Sequence, residues 1–247
     1  MTLRAESLVK NFNGVHALDG TTVEFSDTGV TAIIGPNGAG KTTLVNALTG
    51  FERVDSGRSF MGVAEITSLP PERIARLGVA RTFQELRLVW RETALENVMV
   101  AVDSPAEELI RAATGIGIRG ENERIRAKAF EALRVVGLHD QAGVLATHLS
   151  YGQQKLLALA RCMATDSHWL ILDEPVSGVS PALVDTILDT LRGLARDGRA
   201  IVLIEHDIRA VREVADAVVV LDHGRVVATG TSDDVLARDD LLEAYLD

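Results

Sequence analysis

The chain has almost no cysteine, no surplus of positive charge and no apolar run long enough to cross a bilayer. Its single cysteine is Cys162, and one thiol cannot close an internal disulfide. A reducing compartment suits such a chain, with Cys162 as a small buried apolar residue. The net charge is −10, whereas a nucleic-acid binder presents a basic face, so no nucleic-acid partner is expected. The apolar runs, such as Ala200 to Ile204 and Ala217 to Leu221, have strand length; a membrane span needs about 20 apolar residues. Met1 to Lys10 carry charges and no long apolar stretch, so no secretory signal is expected. If the protein works at a membrane, another chain must span it. Tandem repeats and low-complexity tails are also missing.

What is present is an ordinary globular balance: 247 residues, 47% hydrophobic and 24% charged. That suffices for one large α/β domain or a core with a smaller lobe. Short apolar runs alternate with longer amphipathic stretches, which implies α/β with a largely parallel sheet. Val30 to Ile34 reads as a buried strand, and Gly78 to Phe83, His168 to Leu172, Ala200 to Ile204 and Val218 to Leu221 as further strands. Helices are expected over Thr42 to Thr49, stopped by Gly50, and over Ala182 to Leu194, opened by Pro181. From about Glu85 to Thr147 strong strand runs give out, and Ile125, Ala129, Leu133 and Val136 share one helical face. This reads as a helical lobe inserted into the sheet domain. Val218 to Gly230 reads as a hairpin turning at Asp222-His223-Gly224, followed by a short amphipathic helix from Ser232 to Tyr245.

Gly35-Pro36-Asn37-Gly38-Ala39-Gly40-Lys41-Thr42 matches the P-loop pattern, and it sits between a strand and a helix as that motif requires. Its glycines let backbone N–H groups approach phosphate oxygens, and the helix N-terminus favours an anion. Lys41 supplies a point charge to the β- and γ-phosphates of ATP, and the Thr42 hydroxyl can ligate Mg²⁺. The apolar run Trp169 to Leu172 ends abruptly in Asp173 and Glu174. Strand C-terminal ends are where ligands sit in open α/β sheets. Asp173 would hold the Mg²⁺ shell, and Glu174 is the natural general base for the attacking water. Alone, the pair would serve equally well as helix-capping acids; beside a P-loop the catalytic role dominates.

Ser150-Tyr151-Gly152-Gln153 supports two readings. Ser150 and Gln153 have the spacing of a capping box. A helix N-terminus with a hydroxyl and a bare glycine is also an anion site, and in a chain with its own P-loop it points to a phosphate held by another subunit. Gln84 and His206 each follow a strand-like run. Gln84 could touch Mg²⁺ or the water, and His206 the γ-phosphate. Phe12 either stacks on adenine or packs in the core.

These pieces, in this order and over essentially the whole chain, resemble the ATP-binding cassette ATPases. The resemblance implies Phe12 as the adenine-stacking aromatic, Gly35 to Thr43 as Walker A, Gln84 as the Q-loop glutamine and Leu149 to Gln153 as the signature acting in trans. It further implies Leu170 to Asp173 as Walker B, Glu174 as the base and His206 as the switch histidine. The implied architecture is a P-loop core over about 1–84 and 160–231, with an antiparallel β subdomain, a helical subdomain over about 85–159 and a C-terminal helix over about 232–247. Ala80-Arg81-Thr82-Phe83-Gln84, Leu86-Arg87-Leu88, Leu95-Glu96-Asn97-Val98, Tyr151 in the signature and the ending Glu243-Ala244-Tyr245-Leu246 look like the branched-chain amino acid importer ATPases. That subfamily implies two different ATPase chains beneath two permease chains, an extracytoplasmic binding protein, and a place on the cytoplasmic face of the membrane; the sequence leaves a homodimer or a heterodimer open. Export motors, such as the lipopolysaccharide-export ATPase, share much of the layout. Soluble cassettes acting on ribosomes or DNA carry paired cassettes or long coiled-coil insertions that this chain lacks. Ser180 departs from the D-loop aspartate of many cassettes, and Asp103 to Gly120 matches no motif.

Overall fold

A computed structural model describes residues 1–102 and 118–238. They form two compact units: Met1–Arg81, His168–Ser177 and the chain from Leu191 onward make the first, and Thr82–Ser167 with Gly178–Thr190 the second.

The first unit holds two sheets. β1 (Leu3–Phe12) and β2 (Val15–Phe25) form a hairpin whose turn residues, Asn13 and Gly14, have φ of 49° and 94°. Those are the positive values that a twisted two-residue turn requires. β4 (Ser56–Met61) pairs with β1 and β5 (Ala64–Glu65) with β4, all antiparallel, in the order β2-β1-β4-β5. This is the antiparallel β subdomain. The alternation of its strands is hard to see in the sequence, because the register slips between Ala5 and Leu8, between Leu8 and Val9, and between Lys10 and Asn11. Each slip shifts the buried face by a residue.

The second sheet runs β10-β9-β3-β8-β7-β6. Its strands are β3 (Gly29–Ile34), β6 (Val79–Arg81), β7 (Trp169–Asp173), β8 (Ala200–Ile204), β9 (Ala217–Asp222) and β10 (Arg225–Thr231). β9, β3, β8, β7 and β6 are parallel; β10 returns antiparallel from the turn at His223-Gly224. β7 and β8 are buried at every position, which is why they read as continuous apolar runs. Alternate side chains enter opposite layers. Ile33, Val219, Ile171 and Val202 pack with Leu44 and Leu48 of α1 (Lys41–Leu48), while Ala32, Ile34, Val218 and Val220 pack with Val211 of α7 (Ile208–Val214) and Leu236 of α8 (Ser232–Leu236). β6 is shorter than the expected Gly78 to Phe83, and α2 (Pro71–Arg76) precedes it.

The second unit is helical apart from one bridge, Thr93 to Leu145, among the described residues. α3 (Ala94–Met99) starts from a complete capping box between Thr93 and Glu96. α4 (Ile118–Val135) buries Ala129 and Leu133, with Val136 buried just beyond it and Ile125 half-buried. α5 (Tyr151–Ala164) carries the buried Cys162. α6 (Pro181–Arg196) opens on Pro181 as expected and belongs to this unit through Thr190. The expected C-terminal helix is seen as α8, capped by the Thr231 hydroxyl. Its continuation to Tyr245, the ending Glu243 to Leu246, and 103–117 lie outside the described residues.

Candidate active site

The parallel strands bring their C-terminal ends into line: Ile33 of β3 and Asp173 of β7 both register with Ile204 of β8. The loop after β3, the carboxylates ending β7 and the turn after β8 therefore share one edge of the sheet.

Gly35 to Gly40 carry the chain from β3 into α1. Gly40 is the N-cap of α1 with φ of 100°, and a Cβ there would run into the carbonyl of Ala17. Only glycine satisfies both the left-handed backbone and that close approach. α1 has no side-chain cap and no acid in its first turn, so its N-terminal N–H groups and the positive end of its dipole suit an anionic ligand. The Lys41 ammonium donates to the carbonyls of Gly35 at 2.6 Å and Pro36 at 2.9 Å. Burial lowers its pKa, and the nearby Glu174 and Asp173 act in the opposite direction. Asn37, Gly38 and Thr42 are exposed, Pro36 and Thr43 are half-buried, and Ala39 is buried. One hydroxyl, Thr42, and one carboxylate, Asp173, suit a Mg²⁺ that arrives on phosphate oxygens rather than a stand-alone metal site. Among the described residues no cluster of three or more His, Cys, Asp or Glu forms such a site.

Asp173 is 6% exposed. Burial pushes its carboxyl pKa up, and Arg81 opposes that shift by charge and hydrogen bond. Arg81, the last residue of β6, places Nη2 3.3 Å from Asp173 Oδ2 and donates Nη1 to Asn46 Oδ1 at 2.7 Å and Thr49 Oγ1 at 2.9 Å. One guanidinium thus ties the last turn of α1 to the end of β7.

Glu174 has φ of 49°, a left-handed conformation that costs a residue with a side chain about 1–2 kcal/mol. Its N–H donates to the Ile204 carbonyl at 2.9 Å. His206 Nδ1 lies 3.9 Å from Glu174 Oε1. The strained turn therefore aims Glu174 at the imidazole that follows β8. Glu205, 1% exposed, accepts the N–H of Val176 at 3.0 Å and of His206 at 3.3 Å.

Phe12, at the end of β1, is 44% exposed, with the Lys10 ammonium 4.9 Å from its ring centre. It is a surface aromatic, not a core residue. In the second unit Gln84 is exposed, three residues beyond β6. Ser150 and Gln153 form the capping box: the Gln153 N–H donates to Ser150 Oγ at 3.3 Å, and the Ser150 N–H to Gln153 Oε1 at 2.9 Å. Ser150 and Tyr151 stay exposed. Gly152 is buried, and a Cβ there would meet Leu183 Cδ1 at 2.7 Å. Close packing against α6 is thus one reason for glycine at that position.

Arg81 and Glu205 received no role from the sequence. Arg81 stands three residues before Gln84 and Glu205 directly before His206, but neither spacing reveals that the side chain turns inward to a partner distant in sequence.

A profile of the ABC transporter family matches residues 18–177. A probable branched-chain amino acid transport ATP-binding protein, LivG of Archaeoglobus fulgidus, is 36% identical over 99% of this chain and 95% of its own length. The high-affinity branched-chain amino acid transport ATP-binding protein BraF of Pseudomonas aeruginosa is 37% identical over 99% of this chain and 97% of its own. Among solved structures, a nucleotide-free ATP-binding cassette from an ABC transporter superimposes with a TM-score of 0.85 at 32% identity over 98% of both chains. An ABC transporter cassette in its ADP conformation gives 0.83 at 33%, also over 98% of both. With the P-loop, the paired carboxylates and the histidine turn on one sheet edge, and with relatives matched end to end, the chain belongs to the ABC transporter family, as one of its ATPase cassettes.

Proposed function

We propose that this cassette is the motor of an importer for branched-chain or related amino acids, working as one of two ATPase chains on the cytoplasmic face of a membrane beneath permease subunits. The observation that carries the chemistry is that the aligned ends of β3, β8 and β7 bring to one sheet edge Asp173, the Glu174 and His206 turns and the loop that leads into Lys41. Two relatives named for branched-chain amino acid transport, matched over nearly their full length, support the cargo class. Among the described residues no helix is long and apolar enough to cross a membrane, which fits a peripheral subunit. A binding protein would deliver the cargo to the permease.

Phe12 stacks on the adenine, and the backbone of Gly35 to Thr43 with the Lys41 ammonium binds the phosphates. Thr42 and Asp173, with Gln84 as the family resemblance implies, would hold Mg²⁺, which would supply positive charge to offset that of the phosphates. Glu174 accepts a proton from the attacking water, and His206 orients the γ-phosphate. Ser150, Tyr151, Gly152 and Gln153 face the nucleotide held by the partner chain. ATP between two chains favours their association by mass action, and hydrolysis releases it.

Glu174→Gln keeps the shape of the side chain and removes its basicity. Turnover should fall by about 10²–10⁴-fold while ATP still binds. The variant, alone or with a partner ATPase chain, should accumulate as a dimer with Mg-ATP and not with ADP in light scattering. A monomer in every mixture at saturating ATP would refute the two-chain arrangement. Leucine uptake by vesicles holding the permease, energised by internal ATP, tests the cargo.

A further inference from the structure

The turn bearing Glu174 and the turn bearing His206 are joined by a side chain that the reaction itself does not use. Glu205 follows the last residue of β8, and its N–H reaches the Ile33 carbonyl of β3 at 3.4 Å. One carboxylate oxygen accepts the Val176 N–H at 3.0 Å, two residues beyond Glu174; the other accepts the His206 N–H at 3.3 Å. At 1% exposure, water does not compete for either bond. A planar carboxyl group whose two oxygens each accept a backbone N–H from a different turn is a rigid bridge, because one side chain then fixes both turns.

The turn needs such a bridge. Glu174 is left-handed at φ of 49°, and backbone strain persists only where the surroundings over-determine it. One restraint is the bond from the Glu174 N–H to Ile204; the Val176 bond is a second, on the other side of the strained residue.

We propose that Glu205 is a positioning residue: its buried carboxylate ties the Glu174 turn to the His206 turn and keeps those two side chains in register. The inference rests on Glu174 as the base and His206 as its neighbour at the γ-phosphate. It adds a residue whose carboxylate accepts backbone N–H groups from both turns.

Glu205→Gln tests it. The amide oxygen can accept one of the two N–H groups, but the amide nitrogen then faces the other, donor against donor. We expect kcat to fall about tenfold or more with KM for ATP within about twofold, because the P-loop contacts are untouched. His206→Ala keeps the backbone N–H and so the bridge: amide exchange at Val176 should stay slow in that variant and quicken at least about tenfold in Glu205→Gln. Unchanged kcat, or Val176 exchange as slow in Glu205→Gln as in the wild type, would overturn the proposal. A loss of kcat and a rise of KM that merely track a lowered unfolding temperature would do the same. If Glu205→Gln does not fold, amide hydrogen exchange of the wild type decides: Val176 and His206 should be slow and open at a common rate. Independent opening refutes the bridge. The two readings fail separately. Normal turnover by Glu174→Gln removes the base assignment, whereas an active Glu205→Gln beside an inactive Glu174→Gln removes only the bridge.

Discussion

Replacing Arg81 by Met should destabilise the first unit through the charge it leaves behind. The Arg81 and Asp173 side chains are 5% and 4% exposed, with nitrogen and oxygen 3.3 Å apart. Breaking a buried pair by removing one partner costs about 3–5 kcal/mol, most of it the penalty of the stranded charge. The bonds to Asn46 and Thr49 go with the same guanidinium, so their loss lies within that range, and methionine refills part of the volume. For a chain of this size each kcal/mol lowers the midpoint by about 2–4 °C, a fall of about 6–20 °C. Thermal unfolding measures that shift, and urea unfolding the free energy, each followed by far-UV circular dichroism and by fluorescence, to which the buried Trp169 on β7 contributes. The pH dependence has a definite sign. Burial raises the Asp173 carboxyl above its usual range, so the folded state binds a proton more tightly than the unfolded chain between the two pKa values. Stability from this group is present at low pH and lost as pH rises through the folded value. Arg81 opposes the shift, so without it that interval extends upward and the deficit of Arg81→Met should shrink as the pH falls through it. Asp173→Asn in the same background removes the stranded charge and should recover most of the loss. A single variant within about 1 kcal/mol of wild type, with no pH dependence of the difference, would refute the reasoning.

Lys41→Ala removes a charge-assisted phosphate contact worth about 1.5–3 kcal/mol, so ATP affinity should fall about tenfold to a hundredfold; calorimetric titration checks it, and unchanged affinity would count against the phosphate-loop assignment. Ser150→Arg deletes the cap on α5, at a cost of about 1 kcal/mol, and should leave ATP binding by the isolated chain intact while blocking hydrolysis in the assembled dimer. Loss of ATP affinity in the monomeric variant would show that the serine acts in cis or only in folding.

Much of the fold is legible because local chemistry dictates it. The P-loop declares itself through glycines that no other residue can replace at a left-handed N-cap such as Gly40. β7 and β8 are plain in the sequence because strands covered on both faces are apolar throughout. Glu174 and His206 are visible as polar residues where such runs stop. The β1–β2 hairpin was not legible, because its register slips and the two-residue period with it. Tertiary structure alone decided the inward partners. Arg81 ends a three-residue strand and looks like any surface arginine, until pairing with β7 brings Asp173, 92 positions away, to its guanidinium. Glu205 resembles a solvated carboxylate until the strand order places it between the turns after β7 and β8. Local backbone demands along the chain fix which polar groups stand in the phosphate loop and at the strand ends. Only the folded sheet decided which charges meet, because parallel neighbours are joined by long crossovers and their register is invisible along the chain.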